Sequence, residues 1–487
     1  MPQDAQAILD QLRSWRAQDA PTHGGHVMSY VYDSGLAELD ALAAQAMALV
    51  QPVNGLDPTM FTSVAHMERD LITFARDLLG GDRTVVGTAT SGGTESSLLA
   101  VKTARANHRG TARSGILAPA SVHAAFHKAA EYLGLSLDLV PVGRNGQVDA
   151  EAVIARMGPD TALVVLSAPS YPHGALDPIE QVAAAALARG IDCHVDACFG
   201  GWILPFWDGL PPWDLSVPGV TSLAADLHKY GYAPKGISVL LTKGAQRQRG
   251  QYFATTDWPG YPVVNPTLLG SKSAAPLAAA WAITRHLGVG GYAALAESCK
   301  RSTAALAACI KGIEGLEVVG SPAGPLLAVA RDPGAGERSG IDPHLWADRL
   351  AASGWHLQLQ PGYRQPDGSW LARTTHLTFT PVTESVLPQL CAALATCADE
   401  VRGVAGVDPQ QVLAALGQSG AAGGESDEVQ RVLSAMGVSP GDGSLPKDMA
   451  PLLALVEALP REASGKLLIE LLAGLVAPLD RDPGPKP

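Results

Sequence analysis

Lys229 lies within the stretch Ser222-Leu-Ala-Ala-Asp-Leu-His-Lys-Tyr-Gly-Tyr-Ala-Pro-Lys235, which reads as a short buried strand that stops at His228-Lys229 and then turns through Gly231 and Pro234. A lysine at a strand tip ordinarily lets its stem lie on apolar surface while the ammonium reaches water. A partly desolvated amine has another use, because it can condense with an aldehyde. The choice between the two turns on what else stands at the sheet end. Upstream, His194-Val-Asp-Ala-Cys-Phe-Gly-Gly201 closes an apolar run that begins at Ile191. Asp196 therefore sits at a strand's C-terminal tip, where open α/β sheets place their ligands. A buried carboxylate there can keep a heteroaromatic nitrogen protonated, which turns the ring into an electron sink. Amine and carboxylate together are the requirements of pyridoxal 5′-phosphate chemistry.

A third segment supplies an anion site. Val85-Val-Gly-Thr-Ala-Thr-Ser-Gly-Gly-Thr-Glu-Ser-Ser-Leu-Leu-Ala-Val-Lys102 runs from a strand through Ser91, Gly92 and Gly93 into an apolar-periodic helix that opens at Thr94. Glycines before a helix free backbone N–H groups to face a phosphate. Thr94 and Ser96 suit a helix start, and Glu95 complements the helix dipole. The segment is not a P-loop, because no Lys-Ser/Thr pair follows the glycines at the required spacing.

These segments, in this order, resemble the fold-type-I pyridoxal 5′-phosphate enzymes. Thr90-Ser-Gly-Gly-Thr-Glu-Ser96, His194-Val-Asp-Ala-Cys198 and Ala225-Asp-Leu-His-Lys-Tyr-Gly-Tyr-Ala-Pro-Lys-Gly236 are similar to motifs of the sphingosine-1-phosphate lyase family, whose wider relatives are the group II amino-acid decarboxylases. The likeness continues through Ser121-Val-His-Ala-Ala-Phe-His-Lys128, Ser167-Ala-Pro-Ser-Tyr-Pro-His-Gly174 and Asn265-Pro-Thr-Leu-Leu-Gly-Ser-Lys272, covering roughly residues 25–400.

The resemblance implies a role for each matching position. Lys229 would carry the cofactor and Asp196 would pair with its ring nitrogen. His123 would stack on the ring, His228 would contact the phosphate beside Ser91, Gly92, Gly93 and Thr94, and Lys235 would assist at the rim. Tyr32, in Met28-Ser-Tyr-Val-Tyr32, resembles an acid/base tyrosine, with Tyr30 as the alternative register. Gly270 and Ser271 would reach the cofactor of a partner subunit, which makes a homodimer with shared sites the expectation. His127 reads as a solvent-facing helix residue.

The implied activity is retro-aldol cleavage of a phosphorylated long-chain base to a fatty aldehyde and phosphoethanolamine. Tyr32, Lys235 and Lys229 are the candidates for the base that takes the β-hydroxyl proton. An L-amino-acid decarboxylase is the rival reaction, and a lapsed binding or regulatory subunit is the rival that is no enzyme. Two departures bear on the substrate. Asn54-Gly-Leu-Asp-Pro58 places Asp57 where many lyases have an active-site histidine, and Gly270-Ser-Lys-Ser-Ala274 places Lys272 where they have arginine. A carboxylate in place of a cation would weaken binding of a substrate phosphate.

Composition sets bounds on the rest. The 487 residues allow a large core, and 47% hydrophobic with 17% charged residues indicates a globular enzyme. A formal net charge of -12 disfavours nucleic-acid binding and a polybasic membrane patch. The 6 cysteines lack metal-ligand or disulfide spacing, so no metal site is expected and a reducing cytoplasm is the expected location. No apolar run approaches the ~18 residues of a membrane span, and the polar start Met1-Pro-Gln-Asp-Ala is unlike a signal peptide.

The elements that must position these residues follow from hydrophobic periodicity. A helical arm is expected over 1–60, with a clear helix at 37–50, and the resemblance implies that this arm packs across a dimer. A large domain at 61–290 alternates helices with seven strand candidates at 85–88, 115–119, 136–142, 162–166, 191–195, 222–225 and 237–242. The expected class is α/β, with a mostly parallel seven-stranded sheet of the aspartate aminotransferase type. A smaller α/β domain is expected at 291–403, with strands near 326–331, 356–359 and 376–380. Residues 404–487 read as a linker (418–426) and a helical extension, periodic over 426–436 and 448–476, broken at Pro460 and ending in a Pro-rich tail at 480–487.

Overall fold

The computed structural model describes residues 4–108, 114–417 and 446–478. The expected linker at 418–426, the periodic stretch 426–436 and the tail 480–487 lie outside the described residues. The chain forms two units. One holds the chain up to Ala308 with Val319–Leu327 and Leu377–Gln389, and the other holds Cys309–Val318, Ala328–His376 and the chain from Leu390 onward.

The first unit is built on a seven-stranded sheet. Its strands are β1 (Val85–Thr90), β2 (Gly115–Pro119), β3 (Ser136–Val140), β4 (Thr161–Ser167), β5 (Asp192–Asp196), β6 (Ser222–Ala225) and β7 (Ser238–Lys243), in the spatial order β1-β7-β6-β5-β4-β2-β3. Strands β2 to β6 pair in parallel, while β7 runs antiparallel to both β6 and β1. The central strands are apolar along their whole length because both faces are covered: every residue of β4 and β6 is buried. Strand β3, at the edge, exposes Ser136 and Asp138 and buries only Val140 fully, so its outer face stays wet. The sheet has the seven strands and the mostly parallel α/β arrangement that the sequence leads one to expect.

Helices α1 (Ala5–Arg16), α2 (Ala37–Leu49) and α3 (Thr62–Leu78) precede the sheet, and α4 (Gly93–Asn107) and α5 (Ala124–Leu133) follow β1 and β2. Helix α4 is buried along most of its length and uses small polar residues to pack closely. The hydroxyls of Thr90 and Ser96 lie 2.7 Å apart, and Ser96 Oγ donates to Ser238 Oγ on β7 at 3.2 Å. That chain of hydroxyls satisfies polar groups that apolar packing would leave unpaired. A long helix over Ala275–Lys311 is interrupted at Gly288, whose φ of 54° only glycine adopts freely.

Most of the residues of a four-stranded sheet ordered Leu316–Val318, Leu326–Arg331, Thr374–Thr378, Gln358–Gln360 belong to the second unit. The unit's C-terminal helices, Ala450–Ala458 and Arg461–Leu475, are separated at Pro460, as the sequence pattern indicates. Asp348 accepts from the N–H groups of Met449 and Ala450, both at 2.9 Å, and so caps the first of them. Arg373 holds Glu457 of that helix at 2.6 Å and Asp342 at 2.9 Å. Leu455 and Leu467 form a small core with Val412, Leu413, Leu459 and Leu471.

Candidate active site

Three neighbouring strand tips define the floor of the site. The registers Ser167↔Asp196 and Asp196↔Ala224 place the C-terminal ends of β4, β5 and β6 side by side. The sequence leaves β6 at Ala225 and reaches Lys229 within one tight turn, in which the Lys229 N–H donates to the Asp226 carbonyl. A cavity of about 350 Å³ opens here. Its wall is formed by Ser91, Gly92, Gly93 and Thr94 from the β1–α4 turn, His123 from the start of α5, and Asp196, His228 and Lys229 from the strand ends. Eight of the residues expected to bind the cofactor thus share one cavity.

The β1–α4 turn is shaped by what it must approach. Gly92 has φ of 149°, and a Cβ there would lie 3.0 Å from His228 Cε1. A Cβ on Gly93 would lie 2.7 Å from Cys198 Sγ and 2.8 Å from both carboxylate oxygens of Asp226. Neither position accommodates a side chain without a shift, so the backbone of the turn comes close to His228, Cys198 and Asp226. Glu95 braces the turn from behind: its carboxylate accepts from the Ser91 N–H and from the Leu268 N–H, each at 2.6 Å.

Asp196 is 8% exposed, and its Oδ1 accepts from the Cys198 N–H at 3.0 Å. Behind it, buried Asp177 accepts from the Ser167 N–H at 2.7 Å; burial and the nearby Asp196 charge push its pKa up to about 7. His123 caps α5, its Nδ1 accepting from the Ala125 N–H at 3.2 Å, which leaves Nε2 for the cavity. His127 is exposed, as expected.

The lysine end of the cavity is densely charged. Lys229 Nζ lies 3.0 Å from Asp226 Oδ2, and His228 Nε2 lies 3.3 Å from the same oxygen. His228 Nδ1 accepts from the N–H groups of Gly236 and Ile237, both at 3.3 Å, which fixes its Nε2 as the donor toward Asp226. Burial alone would lower the Lys229 pKa, but the fields of Asp226, Tyr32, Cys198 and Asp196 together raise it well above the usual lysine range. Asp226 is pulled the opposite way: its burial is outweighed by Lys229 and His228, and its pKa falls well below the carboxylate range.

Tyr32 packs edge-on against Tyr230 and Phe199, with ring centroids 5.1 and 6.4 Å away. Burial raises its pKa to about 12 despite the opposing field of Lys229. Tyr30 is exposed and has φ of 61°, so Tyr32 is the tyrosine that reaches the cationic end. Lys235 Nζ sits over the Tyr32 ring at 4.7 Å and donates to the His228 carbonyl at 3.0 Å. Its surface is exposed, yet the protein crowded around its ammonium and the Lys229 charge bring its pKa down to about 8.

Two expected cofactor residues are elsewhere. Gly270 and Ser271 lie on an exposed loop outside this cavity, and Ser271 Oγ accepts from Asn54 Nδ2 at 3.3 Å. The Gly55 N–H donates to the Lys272 carbonyl at 2.7 Å, so the Asn54–Asp57 turn and this loop form one surface. Asp57 does not line the cavity of its own chain. Its Oδ1 accepts from Thr59 N–H, Thr59 Oγ1 and Met60 N–H at 2.9, 2.6 and 3.2 Å, bonds that hold its carboxyl below the usual range. The sequence reading also missed contributors. Asp226, Glu95, Cys198, Tyr171 and Phe199 line the cavity, and the signal for Asp226 was its place in the motif that carries Lys229.

The residues present fit pyridoxal 5′-phosphate. Lys229 offers an amine, Asp196 a buried carboxylate on the neighbouring strand tip, and the Gly92-Gly93 turn a cradle that a Cβ would fill. Comparison with known proteins agrees. The pyridoxal-dependent decarboxylase conserved domain matches residues 22–329, and a C-terminal HTH-type domain of pyridoxal-dependent enzymes matches 388–474. Sphingosine-1-phosphate lyase 1 of Rattus norvegicus is 34% identical over 357 residues, 72% of this chain and 61% of that protein. The chain thus spans about three fifths of its mammalian relative. Sphingosine-1-phosphate lyase of Arabidopsis thaliana is 34% identical over 404 residues, 80% of this chain and 72% of that protein. A solved sphingosine-1-phosphate lyase of Burkholderia pseudomallei superposes with a TM-score of 0.76 at 31% identity, covering 86% of this chain and 94% of that one.

Proposed function

The chain belongs to the pyridoxal-dependent decarboxylase family and, within it, to the sphingosine-1-phosphate lyases, and from that premise we propose that it cleaves a phosphorylated long-chain base to a fatty aldehyde and phosphoethanolamine. The observation that carries the reading is the pairing of Lys235 with Tyr32 beside Lys229, because a β-hydroxyl proton needs an acceptor at that end of the cavity.

Pyridoxal 5′-phosphate supplies an electrophilic aldehyde and a ring that accepts the electrons of a broken bond at Cα. The protein's own groups do the rest. Lys229 Nζ would take the aldehyde, Asp196 would keep the ring nitrogen protonated, and the β1–α4 turn would take the phosphate, with His228, whose two ring nitrogens are engaged by Asp226, Gly236 and Ile237, packed against it at Gly92. His123, which lines the same cavity, would stack on the ring. Lys235, with a pKa of about 8, has a neutral fraction at neutral pH that can accept the β-hydroxyl proton; Tyr32, at about 12, stays a phenol and orients that hydroxyl.

The proposal includes a cytoplasmic homodimer. Gly270 and Ser271 are exposed and lie outside their own cavity, which suits a loop that completes the site of a second copy. Six free cysteines suit a reducing compartment.

Product analysis tests the reading. Protein given sphingosine 1-phosphate should release a fatty aldehyde and phosphoethanolamine in equal amounts. Release of carbon dioxide from an amino acid, with sphingosine 1-phosphate untouched, would replace the lyase by a decarboxylase.

A further inference from the structure

Asp226 has no part in the reaction just described, yet it touches the reacting amine. It follows strand β6, is 2% exposed, and brings Oδ2 to 3.0 Å from Lys229 Nζ. The same oxygen faces His228 Nε2 at 3.3 Å, and His228 is itself locked by two backbone N–H groups of the returning strand. On its other side the carboxylate is closed in by Gly93, where a Cβ would meet both oxygens at 2.8 Å. Asp226 is wedged against the glycine turn, with one oxygen shared between the Lys229 amine and His228 Nε2.

We infer that Asp226 is a gate on the nucleophilicity of Lys229: it holds the amine as an ammonium whenever the amine is not covalently engaged. The inference rests on Lys229 as the cofactor-bearing lysine and is independent of the substrate reading. Capture of the aldehyde requires Nζ to release one proton to solvent. The neutral amine then attacks the aldehyde carbon, a C=N bond replaces C=O, and the oxygen leaves as water. With Asp226 ionised at 3.0 Å, the first of these events is opposed. The same gate acts after a substrate amine has displaced Lys229. The freed lysine is held as ammonium and does not compete for the carbon it has just left.

The charged surroundings support this balance. Asp226, Asp196, Tyr32 and Cys198 favour the ammonium, Lys235 stands nearby as a like charge, and burial favours the neutral amine. His228 shares the Asp226 oxygen, and His123, Glu95 and Tyr171 line the same cavity. Replacing Asp226 by the isosteric asparagine keeps an acceptor for His228 Nε2–H and removes the one carboxylate in contact with the amine among the described residues. Burial and Lys235 are then opposed only by the weaker fields of Tyr32, Cys198 and Asp196.

The test uses the full chain stripped of cofactor. Pyridoxal 5′-phosphate is added by stopped flow and the covalent band at about 400–430 nm is followed from pH 6 to pH 10. Wild type should capture the aldehyde about tenfold faster for each pH unit across the range, because the amine remains mostly protonated throughout. Asp226→Asn should capture it at least about tenfold faster at pH 7 and level off at lower pH. Identical profiles, or an asparagine variant slower at every pH, would overturn the gate. Lys229→Ala should give no band; a band there would mean another lysine bears the cofactor, a separate failure. Should Asp226→Asn fail to fold, labelling of Lys229 in the wild-type apo chain by an amine-acylating reagent, mapped by mass spectrometry, gives the same answer. A half-point above about pH 10 supports the gate, and one at or below about pH 8 overturns it.

Discussion

The ammonium of Lys235 lies over the face of Tyr32, 4.7 Å from the ring centroid, and both groups border the amine of Lys229. Their pKa values are driven apart: burial lifts the phenol to about 12, while crowding and the Lys229 charge lower the amine to about 8. Titratable neighbours separated in this way divide the acid and base work between them.

The first prediction is a pH profile. If neutral Lys235 accepts the substrate proton, kcat should rise with pH and level off above about 8, since the accepting form becomes predominant above that value. Lys235→Arg keeps the charge over Tyr32 but cannot lose its proton in this range, so turnover should fall by about 10²–10⁴-fold without the alkaline rise. A profile that is unchanged in the arginine variant would move the base to another group.

The second concerns Asp196. Asp196→Asn retains an acceptor for the Cys198 N–H and removes the charge that holds the ring proton. Turnover should drop by about 10²–10³-fold, roughly 3–4 kcal/mol, while some cofactor affinity survives through the phosphate turn. Single-turnover kinetics on saturated protein measures it. A loss below tenfold would assign the ring nitrogen to a different residue.

A third prediction follows from the glycine turn. In Gly93→Ala the new methyl meets Cys198 Sγ at 2.7 Å and the Asp226 carboxylate at 2.8 Å. The start of α4 must shift, so pyridoxal 5′-phosphate affinity should fall at least about tenfold and the melting temperature should drop. Thr94→Ala, at an exposed position in the same turn, should leave the melting temperature unchanged. Titration calorimetry and thermal denaturation compare the two.

Much of the first unit was legible before the fold was known, for a physical reason. Strands such as Leu163–Leu166 and Ser222–Ala225 lie between covered faces and read as unbroken apolar runs. Their tips are marked by the polar residue that ends each run, which is how Asp196 and Lys229 stood out. Asp226 was not legible, because the direction of a side chain just past a strand is set by the turn and not by the pattern. Glu95 reads as a dipole partner; that its carboxylate also receives the N–H of Leu268 is long-range and invisible locally. The hairpin of Phe253–Thr255 with Val263–Asn265 escaped notice, because its strands are three residues long and neither buries a residue fully.

The last prediction concerns the C-terminal helices. Glu457 is buried, with a side chain 3% exposed, and meets Arg373 at 2.6 Å while also accepting from the Gly362 N–H at 2.7 Å. Arg373 continues to Asp342 at 2.9 Å, so one guanidinium joins two carboxylates. Removing one member of such a network leaves its partner buried without a counter-charge, which typically costs about 3–5 kcal/mol. In Glu457→Ala, Arg373 retains Asp342, so the expected loss lies toward the lower end of that range, about 3 kcal/mol. It should appear as a lower melting temperature in thermal denaturation. Arg373→Ala should be worse, because it strands two carboxylates at once. Equal melting temperatures for wild type and both variants would show that the helices of 450–475 are held by their apolar contacts alone, through Leu455 and Leu467.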